Sequence, residues 1–116
     1  MLESFRRRLS QSIEDIEDER LAGRLADLGV ARIAEAPDRE SVLMAGEIQG
    51  VQVVPRLGSP SLEVTFSDGS GRAAAVFTGR RRLGGVDCGR RILVEGVTRT
   101  EKGRIVVVNP AYTIVE

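Results

Sequence analysis

Two patterns of apolar and polar positions divide the 116-residue chain. Residues 2 to 28 contain no proline, and apolar side chains recur there every three to five residues, at Phe5, Leu9, Ile13, Ile16, Leu21, Leu25 and Leu28. This spacing is typical of an amphipathic helix, or of two short helices that meet near Glu19 to Gly23. The proline-containing polar stretch from Ile33 to Glu40 is typical of a linker. The sequence therefore predicts a helical extension and linker over residues 1–36.

From Ser41 onward, short runs of β-forming residues alternate with Gly, Pro, Ser and Asp. Apolar positions in the first run change parity once, and they are Val42, Met44 and Ile48, then Val51 and Val53. Because side chains alternate between the faces of a strand, one parity change predicts a bulge, placed here near Gly50. A loop with two prolines, Pro55 to Ser61, is expected to follow this long, bent strand.

The second and third strands are predicted to form a hairpin. Apolar and polar residues alternate from Leu62 to Phe66, as in a half-buried strand. The DGSG stretch at residues 68–71 is typical of a hairpin turn, because a phosphate-binding loop would continue into a lysine or a helix. In the third strand, Arg72 to Thr78, the face that carries Phe77 is assigned to the core because Phe77 is its largest side chain.

The remaining chain predicts two more strands. Gly79 to Gly89 is too rich in glycine and charge to extend the third strand, so it is expected to be a connection with one helical turn at Arg80 to Leu83. Strands at Arg91 to Val97 and Arg104 to Val108 follow, joined by a loop over residues 98–103, and Asn109-Pro110 interrupts or ends the last ladder. Five strands with a bent first member most simply avoid open edges by closing into a barrel, here over residues 37–116.

Charge is balanced overall but uneven along the chain. With 17 acidic and 17 basic residues, no net charge draws the protein to an anionic polymer. Residues 1–40 hold ten acidic residues and seven arginines, whereas residues 41–116 hold seven acidic and ten basic residues. Lys102 is the one lysine; arginine suits paired contacts with phosphate, although a GC-rich genome explains the bias equally well. A nucleic-acid function therefore depends on where the arginines lie.

Composition argues against an enzyme, a metal site and a cofactor. The chain has no histidine and one cysteine, Cys88, which excludes disulfide scaffolds, zinc ribbons and histidine-based catalysis from the prediction. Asp87 and Glu101 are isolated rather than clustered as metal ligands would be. No apolar run approaches the roughly 20 residues that span a bilayer. We expect a non-catalytic protein of the cytoplasm that binds no metal or cofactor and no membrane.

Four stretches resemble the OB-fold of the anticodon-binding type: VLMAGEIQGVQVVP, LEVTFSDGSGRAAAVFTGRRR, GRRILVEG and GRIVVVNPAY. Such domains occur in aminoacyl-tRNA synthetases, in the wedge of RecG-type helicases and in replicative polymerase subunits. The resemblance covers about residues 41–114, and the whole chain is similar to small stand-alone OB-fold proteins of actinobacteria. It implies a mainly β, five-stranded Greek-key barrel and ligands that are single-stranded nucleic acids or resemble tRNA.

The resemblance also places a ligand groove. In OB-folds the ligand crosses strands two and three, between the loop joining strands one and two and the loop joining strands four and five. On this chain those positions carry Arg56 in the first loop, Thr65, Arg72 and Val76 on the strands, and Arg99, Lys102 and Arg104 around the last loop. Arg80, Arg81 and Arg82 follow strand three and are either phosphate ligands or a solvated charge run.

Two functions stay open at this point. The first is weak binding of single-stranded DNA or RNA through backbone charge, since Phe66 and Phe77 fall on core parity and leave few rings on which bases could stack. The second is a protein adaptor that uses the barrel, the acidic amphipathic helix at residues 2–28, or both, to bind another protein or a second copy of the chain.

Overall fold

The computed structural model describes residues 29–115, which form six β-strands and one short 3₁₀ helix. The strands are β1 (Ser41–Arg56), β2 (Ser59–Ser67), β3 (Arg72–Thr78), β4 (Arg91–Glu101), β5 (Arg104–Val108) and β6 (Ala111–Val115), and the 3₁₀ helix is Ile33–Glu35. The helix predicted for residues 2–28, with the homodimer contact considered for it, lies outside the described residues. Within the described part of the chain, no helix is long and apolar enough to cross a membrane.

Five of the strands close into one barrel. β1 pairs antiparallel with both β2 and β4, and β2 pairs antiparallel with β3. β3 pairs in parallel with β5, which returns antiparallel to β4. The neighbours therefore run β1, β2, β3, β5, β4 and back to β1, so these five strands form a closed circuit. This confirms the mainly β, closed five-stranded sheet that the sequence predicts.

Strand β1 forms parts of two walls because it bends midway. Its residues 41–47 pair with β4, and the register with β2 shifts between Ile48 and Gly50, which confirms the bulge predicted from the parity change. At the bend the strands come very close together. A Cβ atom on Gly46 would lie 2.6 Å from the carbonyl oxygen of Ser67, so a larger residue there requires the backbone to shift.

The core fills the barrel with apolar side chains from one face of each strand. Its buried members on the strands are Met44, Ile48, Leu62, Val64, Phe66, Ala73, Ala75, Phe77, Ile92, Val94 and Val107. Phe77 is 6% exposed, which confirms that its face of β3 is the core face. Val86, from the β3–β4 connection, packs into one end of the barrel, and Ile33, from the 3₁₀ helix, packs into the other.

Ile33 is held there by the DGSG turn between β2 and β3. One carboxylate oxygen of Asp68 accepts the backbone N–H of Ile33 at 2.9 Å, and the other accepts the N–H groups of Ser70 and Gly71. Partial burial by itself raises the pKa of Asp68, but hydrogen bonds from Ser70, Ile33 and Gly71 outweigh it and leave the pKa lowered. The turn therefore joins the segment before the barrel to the barrel. The domain boundary at residue 36 stays a prediction, with Ile33 on its N-terminal side inside the core.

Two segments expected to be loops are strands. β1 continues through Pro55, β2 begins at Ser59, and β4 continues through Glu101. Leu57-Gly58 alone connects β1 to β2, and Lys102-Gly103 alone connects β4 to β5. All four residues have the positive φ that a type I′ turn requires. Pro55 is tolerated because this half of β1 no longer pairs with β4 and so needs no donor on that side, and Pro60 precedes Ser61, the first residue of β2 that pairs with β3.

Two further expectations fail after β3. The connection over residues 79–90 has no helical turn at Arg80 to Leu83. Two hydrogen-bonded turns come later: the N–H of Val86 donates to the carbonyl of Leu83 at 3.3 Å, and the N–H of Arg90 donates to the carbonyl of Asp87 at 3.2 Å. Asn109-Pro110 does interrupt the last ladder as predicted, but pairing then resumes. The chain continues along the same edge of β4 as β6, a sixth strand that the sequence did not predict. Proline removes one donor, which breaks the ladder without changing the direction of the chain.

Candidate nucleic-acid interface

The predicted groove lies on the outer face of β2, β3 and β5, flanked by the β1–β2 and β4–β5 hairpins. In the sheet, β3 lies between β2 and β5, and the register places Ala74 beside Thr65 on β2 and Val106 on β5. The two hairpin tips leave opposite ends of β3, because β5 runs parallel to β3 and β2 runs against it. The face between the tips corresponds to the ligand face that the OB-fold resemblance implies.

One ion pair joins the two hairpins. Arg56, at the end of β1, donates to both carboxylate oxygens of Glu101, at the end of β4, at 2.5 and 3.1 Å. The side chains are 25% and 32% exposed, so both are only partly solvated. Hydrogen bonding to Arg56 lowers the pKa of Glu101, and the same contact raises the pKa of Arg56. Both groups are therefore charged at neutral pH, and Arg56 is already occupied by a carboxylate.

A second ion pair crosses β3 itself. Arg104 at the start of β5 donates to Glu63 on β2 at 2.5 Å, and Glu63 is 6% exposed although it lies outside the core. Since β3 is the strand between β2 and β5, this contact spans the width of the face. The hydrogen bond to Glu63 raises the pKa of Arg104, and the charges of Glu63 and Glu101 act on both arginines. We call these four residues, Arg56, Glu63, Glu101 and Arg104, the charge bridge.

The outer side of β3 is a small apolar cluster rather than an open platform. Ala74, Val76 and Val106 are each 0% exposed, and Val108 packs against them. Val76 does point away from the core, as predicted for a ligand-contacting residue, but it has no accessible surface in this structure. The outward direction of Val76 therefore does not expose it to a ligand, contrary to the prediction.

Other predicted cations around the groove are open to solvent. Arg72 at the start of β3, Arg99 on β4 and Lys102 at the hairpin tip are exposed and make no ion pair within residues 29–115. Arg99 is close enough to Glu101 to lower its pKa, which places Arg99 beside the charge bridge. Thr65 is half-buried on the outer face of β2. The three cations are the groups on this face that can take a phosphate without first losing a carboxylate.

Arg80, Arg81 and Arg82 lie elsewhere. All three are exposed in the connection after β3. Arg81 and Arg82 line a pocket of about 360 Å³ whose other walls include Val51 and Leu62, residues on the core side of β1 and β2. The structure therefore places Arg81 and Arg82 at the end of the barrel, beside core-side residues of β1 and β2.

Aromatic platforms are absent from the outer face within the described residues. Phe66 and Phe77 lie in the core, as their parity predicted. Tyr112 is 37% exposed, and its ring packs edge-on against Phe77 with ring centroids 5.3 Å apart. Base stacking is worth roughly 1–3 kcal/mol per base, so a ligand on this face loses that contribution and relies on phosphate contacts.

Glu63 and Glu101 are the site residues that sequence reasoning did not assign. The sequence shows both acidic residues close to the predicted basic residues of the groove. Both also fall at positions whose side chains point outward from their strands. Their partners Arg104 and Arg56 are 41 and 45 residues away in the sequence. A pairing at that separation follows from barrel closure and has no local sequence signal.

Comparison with known proteins supports the fold alone. No protein-family model matches the chain, and no curated protein is similar to it in sequence. Among solved structures, the chain is similar to the solution NMR structure of a replication factor A related protein from Methanobacterium thermoautotrophicum, with 15% identity and a TM-score of 0.56. The match covers 75% of this chain and 91% of that one. The closed five-stranded sheet is consistent with an OB-like barrel, and the anticodon-binding subtype stays a prediction.

Proposed function

We propose that the protein is a non-catalytic OB-like barrel of the cytoplasm that binds single-stranded DNA or RNA weakly, mainly through phosphates. The observation that carries the proposal is the position of Arg72, Arg99 and Lys102, three exposed cations on or beside the outer face of β3. A basic groove that follows the nucleic-acid backbone is the electrostatic part of single-strand binding by OB-folds. The similarity to a replication factor A related protein is in keeping with this use of the fold.

Two features make the binding weak and unspecific. Within residues 29–115, no aromatic ring on the outer face is available for base stacking. The small apolar cluster on the outer side of β3 has no exposed surface either. Phosphate contacts carry no sequence information themselves, because they fix position rather than read bases. We therefore expect similar affinities for DNA and RNA and a strong dependence on salt.

Fluorescence anisotropy with labelled single-stranded DNA and RNA at two salt concentrations tests the proposal. We expect binding that weakens steeply with salt, and a flat titration at low salt with high protein concentration contradicts it. Two matched charge reversals locate the site: Arg72→Glu, Arg99→Glu and Lys102→Glu together, and Arg80→Glu, Arg81→Glu and Arg82→Glu together. We expect the first triple to lose more than tenfold in affinity, about 1.4 kcal/mol, and the second to lose less. The reverse order would move the site to the barrel end.

A specific observation also favours the second candidate, a protein adaptor. The β1–β2 hairpin extends beyond the core and carries exposed apolar side chains, with Val53 at 50% and Leu57 at 101% exposure. Large apolar side chains exposed together on one hairpin suit a protein contact. A pull-down from the native cell that recovers a partner with the wild type, and loses it with Val53→Ser and Leu57→Ser, supports this role. Nucleic-acid binding is expected to survive the same changes.

A further inference from the structure

We infer that Glu63 and Glu101 are built-in competitors of the ligand, so that nucleic acid contacts Arg56 and Arg104 only by replacing these two carboxylates with its own phosphates. This inference rests on the proposed function, whose site it deepens. It assigns a role in setting affinity to two acidic residues that have no place in a simple basic groove.

The first step is chemical equivalence. Arg56 binds Glu101 through two hydrogen bonds to the two carboxylate oxygens, which is the fork geometry that arginine also uses for phosphate. A phosphodiester offers the same charge and the same pair of oxygen acceptors. The Nη1–Nη2 edge of the Arg56 guanidinium, which Glu101 occupies, can hold one of these partners at a time.

The second step is position. The Arg104–Glu63 pair runs from β5 to β2 and so crosses the outer face of β3, the strand at the centre of the groove. The Arg56–Glu101 pair joins the two hairpins that flank the same face. A strand of nucleic acid that follows the groove meets both pairs, whereas the cations Arg72 and Arg99 stay accessible to it before either pair opens.

The third step is cost. Exposed ion pairs contribute little and are readily exchanged, but Glu63 is largely buried, and it has to be resolvated when Arg104 leaves. Arg104 itself is 44% exposed, so its guanidinium can turn outward without leaving solvent. The pair at Glu101 therefore opens first and the pair at Glu63 second. Each opening adds one arginine to the phosphate contacts.

The test compares three forms of the full chain by anisotropy with labelled dT and rU oligonucleotides across a salt series. The forms are the wild type, Glu63→Gln with Glu101→Gln, and the control Glu47→Gln with Glu95→Gln. The control removes two exposed acids from β1 and β4, away from the groove, and neither makes an ion pair within residues 29–115. Both double variants change net charge equally, so a difference between them reports position rather than total charge.

We expect the bridge variant to bind about tenfold more tightly than the control. When both pairs stay closed in the wild-type and control complexes, its plot of log K against log salt should be steeper by about 1.4, since each extra phosphate contact on a single strand adds about 0.7 to the slope. Equal affinities and slopes for the two double variants, or weaker binding by the bridge variant, would overturn the inference. Weaker binding would mean that the carboxylates orient the arginines for the ligand.

The outcomes separate this inference from the proposed function. Binding by the wild type with no difference between the double variants leaves the function intact and removes the competition. If only the bridge variant binds, the result supports competition by the carboxylates and contradicts the proposal that the wild type binds nucleic acid. If no form binds, both fail. Because Glu63 is buried, Glu101→Gln alone serves as a milder variant, with an expected slope change of about 0.7.

Discussion

The two faces of β3 are both buried, but for different reasons. On the inner face Ala73, Ala75 and Phe77 join a core that draws side chains from every wall of the barrel. On the outer face Ala74 and Val76 belong to a cluster with Val106 and Val108, crossed by a salt bridge between the neighbouring strands. Burial by packing depends on apolar volume, whereas burial beneath an ion pair depends on charges that a ligand can displace. The inner face of β3 is therefore expected to stay buried in every state of the folded protein. The outer face is expected to stay buried only while the ion pair is closed.

The largest effect is expected on the inner face. Phe77→Ala should lower the free energy of unfolding by about 3–5 kcal/mol, because it leaves a cavity where the ring packs in the core. Urea denaturation followed by circular dichroism measures it. Tyr112→Phe is the matched control: it keeps the ring that contacts Phe77 and should change stability little. A loss below about 1 kcal/mol for Phe77→Ala would mean that the ring is not packed as described.

Val76→Ala is expected to lower the free energy of unfolding by a smaller amount, about 1–2 kcal/mol, because it removes two buried methyl groups from the small outer cluster. The same denaturation experiment measures this loss. Val53→Ala, at an exposed position of similar chemistry on β1, is the control and should be nearly neutral. If Val76→Ala matched the control, the outer face would already be open in solution.

The smallest effect is expected at the charge bridge. Glu101→Gln should lower the free energy of unfolding by less than about 1 kcal/mol at neutral pH, since Glu101 and its partner Arg56 are both partly exposed. The folded protein holds the pKa of Glu101 below its usual value of 4.5, chiefly through the hydrogen bond from Arg56. The carboxylate therefore stabilises the fold fully above the unfolded pKa, and this contribution is lost as pH falls through the folded pKa.

The stability difference between the wild type and Glu101→Gln should accordingly shrink as the pH is lowered from about 6 to about 3. Thermal unfolding over this range measures it, with Glu95→Gln as the control, because Glu95 is exposed on the same strand. A difference that stays constant with pH would show that the ion pair contributes nothing to the folded state.

Much of the barrel follows from local sequence signals. The parity change before Val51 located the bulge, the DGSG stretch located a hairpin, and Phe77 identified the core face of β3. These features depend on neighbouring residues, so the pattern contains them. The extent of the hairpins did not follow, because Pro55 suggests a loop until the end of pairing with β4 is known.

The candidate site was less predictable for a related reason. The sequence gives the direction of a side chain on a strand but not what lies across from it after closure. Arg56 and Arg104 were expected in or beside the loops that flank the groove, and their carboxylate partners come from β4 and β2. The triple-arginine run was grouped with them by charge, although the chain carries Arg81 and Arg82 to the end of the barrel.

The parallel pairing of β3 with β5 has a consequence for how the chain folds. β1, β2 and β3 follow one another as hairpins and can form from contacts between near neighbours in sequence. β5 reaches β3 only after the long connection and all of β4 are in place, since Ala73 pairs with Ile105. Contacts of such high sequence separation carry a loop-closure cost before they stabilise anything. Until β5 pairs with β3, one edge of β3 is unpaired. A folding intermediate that lacks this pairing would therefore expose the strand on which the proposed groove is centred.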